Sequence, residues 1–285
     1  MPKLSASRPL LETARSTGTA VAALNFYNAE TLLAHIRAAA VLNRSIILQT
    51  TESTINYLGL TMIRGMANAA AEELEQPIAL HLDHGSTYDL AARCIDSGYT
   101  SVMIDGSKLS FEDNCAITKR VVDLAHANDV SVEGELGHVT NNDEPPLDDM
   151  ARFYTRAEDA ARFVGETKVD ALAVAVGTAH GFYKGEVRID FERLKQIREA
   201  VRDTPLVLHG GSGVSEDLLR TAIESGICKI NFGTELKDAF TRAVKLSLSN
   251  STDIDLRRTF LPAIAAVQEI SHSKIRICSN LIDER

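Results

Sequence analysis

Three of the eight histidines share one setting. His84, His180 and His209 each follow an apolar run and each precede a glycine. They sit in Leu80-His81-Leu82-Asp83-His84-Gly85, in Gly177-Thr178-Ala179-His180-Gly181 and in Val207-Leu208-His209-Gly210-Gly211-Ser212-Gly213. If the apolar runs are strands, three imidazoles stand at strand ends. Zinc takes imidazole nitrogen at about 2.0–2.1 Å, and a catalytic zinc keeps one position open for substrate or water. Glu133 and Glu135 lie one pleat period apart, hence on one strand face. A carboxylate there is either a ligand or the group that orients one. His81 is read as interior, and His35, His126 and His272 as surface positions on helical patterns. His138 opens a long loop within reach of the site.

Two further segments suit an anion. Gly210-Gly211-Ser212-Gly213 and Asn231-Phe232-Gly233-Thr234 follow candidate strands seven and eight, where barrels hold phosphate on backbone N–H groups and a helix N-terminus. Lys184, four residues after His180, adds a positive charge. A carbonyl-polarising metal beside a phosphate grip suits carbon–carbon cleavage next to a ketone. Such a step needs an acid/base at the cleaved hydroxyl, for which Asp83 is placed, and a base at the α-carbon.

The elements that must position these groups alternate. Strand-like runs occupy Thr19–Asn25, Ser45–Thr50, Ile78–Asp83, Ser101–Asp105, Ser131–Leu136, Ala171–Gly177, Pro205–His209 and Cys228–Phe232. Helical patterns lie between them, for example Ala29–Leu42, Thr61–Glu75, Phe111–Ala127, Phe191–Val201 and Glu216–Ser225. Near-continuous apolar strands separated by helices imply a parallel sheet with both faces covered. Eight βα units fit an α/β fold of the (β/α)8 TIM-barrel type, spanning 1–285 as one domain. An open doubly wound sheet would show a glycine-rich first turn, whereas this turn reads Asn25-Phe26-Tyr27-Asn28. Extra helices are expected after residue 234, with a break at Asn250–Asp253. His138–Thr155 is too long and polar for a plain connection and reads as a lid or a disordered stretch.

The 285 residues are 45% hydrophobic and 24% charged, as in ordinary globular proteins, with a formal net charge of −9. No basic cluster offers a nucleic-acid or acidic-membrane surface. The longest apolar run, Ala171–Val176, is too short to span a bilayer. No secretory signal precedes the first element, and the four scattered cysteines lack metal or disulfide spacing, so a reduced, cytoplasmic protein is expected.

Taken together, Leu80–Gly85, Ser131-Val132-Glu133-Gly134-Glu135-Leu136-Gly137, Gly177–Gly181 and Leu208–Gly213 resemble the class II, zinc-dependent ketose-bisphosphate aldolases over nearly the whole chain. Asn231-Phe232-Gly233-Thr234-Glu235-Leu236-Lys237 is similar to the tagatose-bisphosphate branch. The resemblance implies cleavage of a ketose (bis)phosphate, such as tagatose or fructose 1,6-bisphosphate, to dihydroxyacetone phosphate and an aldehyde. It implies Zn²⁺ on His84, His180 and His209, and a second position for a mobile zinc at Glu135 and Asp105. Asp83 becomes the proton donor. Gly181, Lys184, Gly210, Gly211, Ser212, Asn231, Gly233 and Thr234 surround the sugar phosphate, and carbonyls near Gly181 and Gly211 hold a monovalent cation (Na⁺ or K⁺). A homodimer or homotetramer is implied.

Two departures matter. The family's loop carries Gly-Gly before an acidic pair, but here the stretch is Thr140-Asn141-Asn142-Asp143-Glu144, so the α-carbon base is Asp143 or Glu144. The branch's distal-phosphate arginine is matched by Leu261, with Arg257 and Arg258 nearby, which opens the alternative of a ketose 1-phosphate with another tail. The rivals are a Schiff-base aldolase using Lys229 and a non-catalytic aldolase-like subunit.

Overall fold

The computed structural model describes residues 4–139, 153–183, 185–250 and 253–281. Asp143, Glu144 and Lys184 lie outside the described residues. Eight parallel strands close into one barrel in chain order: β1 (Val21–Asn25), β2 (Ile47–Thr51), β3 (Ala79–Gly85), β4 (Ser101–Ile104), β5 (Ser131–Leu136), β6 (Ala171–Val174), β7 (Leu206–Leu208) and β8 (Ile227–Phe232). Closure requires β1 to pair with β8, which it does with Ala23 opposite Asn231. The closed barrel excludes the doubly wound sheet. The sixth strand is shorter than expected, ending at Val174 rather than Gly177.

Around the strands lie α2 (Ala29–Leu42), α3 (Glu52–Leu58), α4 (Leu60–Glu72), α5 (Tyr88–Asp96), α6 (Phe111–His126), α7 (Ala157–Thr167), α8 (Phe191–Ala200) and α9 (Glu216–Glu224). Most start on a side chain that accepts an otherwise unpaired backbone N–H. Asn28 and Thr31 form a reciprocal capping box, while Thr87, Ser110, Asp190 and Ser215 each cap alone. The expected C-terminal pair is α10 (Thr234–Asn250) and α11 (Leu256–Cys278). No helix among the described residues is long and apolar enough to cross a membrane.

A helix not anticipated, α1 (Ser7–Thr17), covers the barrel's floor, the end where the strands begin. Its Leu10, Leu11 and Ala14 join Val21, Ala23, Ile47, Ala79, Ala171, Ala173, Val207 and Cys228 in one buried cluster. These interior residues are mostly small, which leaves room higher in the barrel for long polar chains: Gln49, His81, Glu133 and Lys229 are all buried. The surface reading of His35 is corrected. Its ring is fully buried between α2 and α11, with Nδ1 2.8 Å from Ser271 Oγ and Nε2 3.1 Å from the Asn25 carbonyl.

Candidate active site

Asp83 and His84 are neighbours in sequence, and a regular strand would aim them at opposite faces. Here the β3–β4 register shifts between Leu82 and Gly85, and His84 has φ +52°. A bulge of this kind at a barrel rim re-aims a side chain, and both residues serve the mouth. The left-handed conformation is costly for a non-glycine residue and marks a functional position. The following glycine is a packing requirement, since a Cβ at Gly85 would run into the Met103 carbonyl and Leu82. Gly210 after His209 is similarly constrained, with φ +69° and the Ala179 carbonyl where its Cβ would be.

The three predicted histidines converge. Their ring nitrogens lie within 4.8 Å of one another, and His84 Nε2 is 2.9 Å from His209 Nδ1. The remaining nitrogens of these two rings are committed. His84 Nδ1 lies 3.0 Å from Asp105 Oδ2, and His209 Nε2 lies 2.8 Å from Glu133 Oε1. Carboxylates only accept, so each ring donates outward and its other nitrogen faces inward. At that separation one proton or one metal ion can lie between the two inward nitrogens. Three imidazole nitrogens gathered within 4.8 Å are the kind of donor set a zinc ion takes. The donor set therefore fits a divalent metal. Asp105 and Glu135 gather on the other side of His84, their oxygens forming with it a second compact cluster.

The electrostatics favour a cation too. Burial works against a charged His84, but Asp83, Asp105 and Glu135 outweigh it and push this imidazole up to about 9. Burial, then the neighbouring imidazoles, bring His180 down to about 3. Asp83 is opposed by burial yet lowered to about 2 by His84, His209 and Lys229. Its two oxygens also accept from Asn25 Nδ2 at 2.9 Å and Asn231 Nδ2 at 3.1 Å. Burial raises Glu135 to about 8.

A cavity of about 260 Å³ opens over these groups. Asp83, His84, His180, Gly181, Gly210, Ser212, Asn231, Gly233 and Thr234 line it as expected. Gly211 stands just behind, its N–H donating to the Asn231 carbonyl. Ser212 Oγ accepts from the Gly233 and Glu235 N–H groups, tying the β7 and β8 loops together and leaving its own hydroxyl proton for a ligand. His138 packs beside Phe153 instead of lining the cavity. Asn25, Tyr27, Thr51, Ser53 and Lys237 also line it without having been assigned from sequence. Asn25 and Thr51 end β1 and β2, so strand-end position was the available signal. Glu133 had been placed on the same face as Glu135, but its hold on His209 depends on register with a distant strand.

Residues 5–281 match the family model of class-II fructose-bisphosphate aldolase, and the chain belongs to that family. It is accordingly an aldolase, a carbon–carbon lyase of a metal-dependent class. The YdjI aldolase from Escherichia coli K12 is 33% identical, with 96% of this chain and 97% of that chain covered and a TM-score of 0.84. A protein of Coccidioides immitis described as a fructose-1,6-biphosphate aldolase is 29% identical, covering 95% and 94%, at TM-score 0.85. The fructose-bisphosphate aldolase of Campylobacter jejuni shares the fold at 22% identity, 100% and 97% coverage and TM-score 0.83.

Proposed function

We propose that this chain is a zinc-dependent aldolase that reversibly cleaves a ketose phosphate to dihydroxyacetone phosphate and an aldehyde. The observation that carries the reading is the convergence of His84 Nε2 and His209 Nδ1, fixed from behind by Asp105 and Glu133, beside His180 and Asp83. Zinc held by the three histidines would polarise the ketose carbonyl as a Lewis acid. Ser212, Thr234 and the start of α10 hold the C1 phosphate. Asp83, ionised and clamped by two amides, takes the hydroxyl proton as the carbon–carbon bond breaks and returns it in condensation. The α-carbon base is assigned to Glu144, or to Asp143. Glu135 and Asp105 offer a second position for the metal, and carbonyls near Gly181 and Gly211 a seat for Na⁺ or K⁺.

The Schiff-base alternative is disfavoured, because Lys229 is buried in an ion pair with Glu133 beneath the site. A second reading concerns the substrate's tail. Among the described residues lining the cavity, Lys237 is the one lysine or arginine, and the β2 side offers the hydroxyls of Thr51 and Ser53. That favours a single phosphate grip and a ketose 1-phosphate. We further propose a cytoplasmic homo-oligomer, in keeping with four buried free cysteines and with exposed Leu246, Leu248, Ile254, Leu256 and Leu261 on α10, α11 and their link.

The purified protein is expected to hold about one zinc per chain. His84→Ala, His180→Ala and His209→Ala should each lose the ion and all measurable cleavage while keeping the far-UV spectrum. Full turnover after exhaustive chelation would refute the zinc reading. Comparing kcat/KM for matched mono- and bisphosphates then separates the two substrate readings.

A further inference from the structure

Beneath the histidines runs a chain of buried polar groups that the reaction does not use directly. Lys229 Nζ, on β8, lies 2.6 Å from Glu133 Oε2 on β5 and 3.3 Å from His81 Nε2 on β3. His81 Nδ1 lies 2.7 Å from Ser101 Oγ, which lies 2.8 Å from Ser7 Oγ on α1. Lys229 is 1% exposed. A lysine and a glutamate in a closed barrel are expensive to keep there unless paired and fully hydrogen-bonded.

The protons in this chain can be assigned. An ammonium has donors only, so His81 must accept at Nε2 and carry its own proton on Nδ1, facing Ser101. The same ammonium takes one oxygen of Glu133 and leaves the other to accept from His209 Nε2–H. That bond keeps the His209 proton off Nδ1, the nitrogen turned toward His84. The direction of the whole chain is set at Lys229.

We propose that Lys229 is a positioning residue for the metal ligand His209, acting through Glu133. By holding Glu133 as an oriented carboxylate, it fixes the imidazole tautomer that presents Nδ1 to the ion. Without the ammonium, nothing holds Glu133 Oε2, and the Oε1 contact that fixes the His209 ring and its Nε2–H is no longer anchored. The small neighbours Ala171 and Ala173 on β6 lie within the interior and leave space for the pair to meet. The inference rests on the three-histidine reading of the metal site.

The experiment is zinc affinity of the intact protein, measured by competition with a chromogenic chelator alongside thermal unfolding. Lys229→Met should weaken zinc binding by about 10–100-fold, as loss of a group supporting a ligand does. The neutral pair Lys229→Met/Glu133→Gln should regain melting temperature relative to the single variant, yet remain weak for zinc. Affinity unchanged in Lys229→Met, or recovering together with melting temperature in the double variant, would overturn the proposal. If the single variant does not fold, the double variant decides alone: parent-like affinity refutes, weakened affinity supports. A parent that binds no zinc overturns the metal site itself, an outcome distinct from either.

Discussion

The two ends of the barrel are built from the same strands to opposite standards. At the floor most polar groups are satisfied: Arg8 N–H donates to Ser131 Oγ, Ser7 meets Ser101, and Asp170 accepts from the Val132 N–H beside His126, while Arg15 Nε on α1 is buried without a partner. At the mouth, Gln49 Oε1, Glu135 Oε2, Thr178 Oγ1 and Asn231 Oδ1 are buried with no hydrogen-bond partner. His84 sits in a left-handed conformation, and the ionisable groups are held away from their ordinary values. Unpaired buried polar atoms cost stability. They gather at the end that binds a ligand, where substrate, ion or water can complete them. The floor is optimised for folding and the mouth for what folding leaves unfinished.

The contrast can be broken at either end. The largest effect is expected at the mouth. Asp83→Ala should lower cleavage by ~10²–10⁴-fold, the usual share of a positioned acid/base, with zinc content intact. Loss of zinc in parallel with rate would instead make Asp83 a support for His84, whose Nε2 lies 3.9 Å away. At the floor the signs reverse. Leu11→Ala removes a buried side chain from the plug and should cost about 2–5 kcal/mol of stability, with kcat per folded enzyme unchanged. A rate loss beyond the unfolded fraction would show that the two ends are coupled.

The smallest effect concerns pH and lies outside both ends, at His35. Burial lowers this imidazole from 6.5 to about 4, only partly offset by its bond to the Asn25 carbonyl. The unfolded chain therefore binds the extra proton first as pH falls. The stability associated with a neutral buried His35 is present in full above pH 6.5 and is lost as pH drops through 4, a change on the order of 3 kcal/mol at most. Urea unfolding at pH 7 and pH 4.5 should show a shallower pH dependence in His35→Gln than in the parent. Equal slopes would remove His35 from the account.

The barrel was legible because parallel strands buried on both faces leave unbroken apolar runs, and the helices between them repeat. The histidines were legible because His-Gly at three strand ends reflects a backbone approach that only glycine permits, as at Gly85 and Gly210. What was not legible depended on registers between distant strands. Nothing local marks Asn25 and Asn231 as the two clamps on Asp83, since they meet only when β1 closes on β8. His35 was misread because a single histidine on an alanine-rich helix carries no sign of the Ser271 that receives it. The α1 plug was missed because its apolar face is short, and its partners lie on strands up to the eighth.

That plug has a consequence for synthesis. Leu10 and Leu11 leave the ribosome well before the surface that buries them is complete, since it includes Val207 on β7 and Cys228 on β8. At about 5–20 residues per second, the roughly 210 residues between α1 and β8 take on the order of 10–40 s to appear. For that interval α1 has no complete barrel end to rest on. Its two threonines and two arginines, set among only two leucines, keep the waiting segment polar enough to stay in water until the last strand arrives.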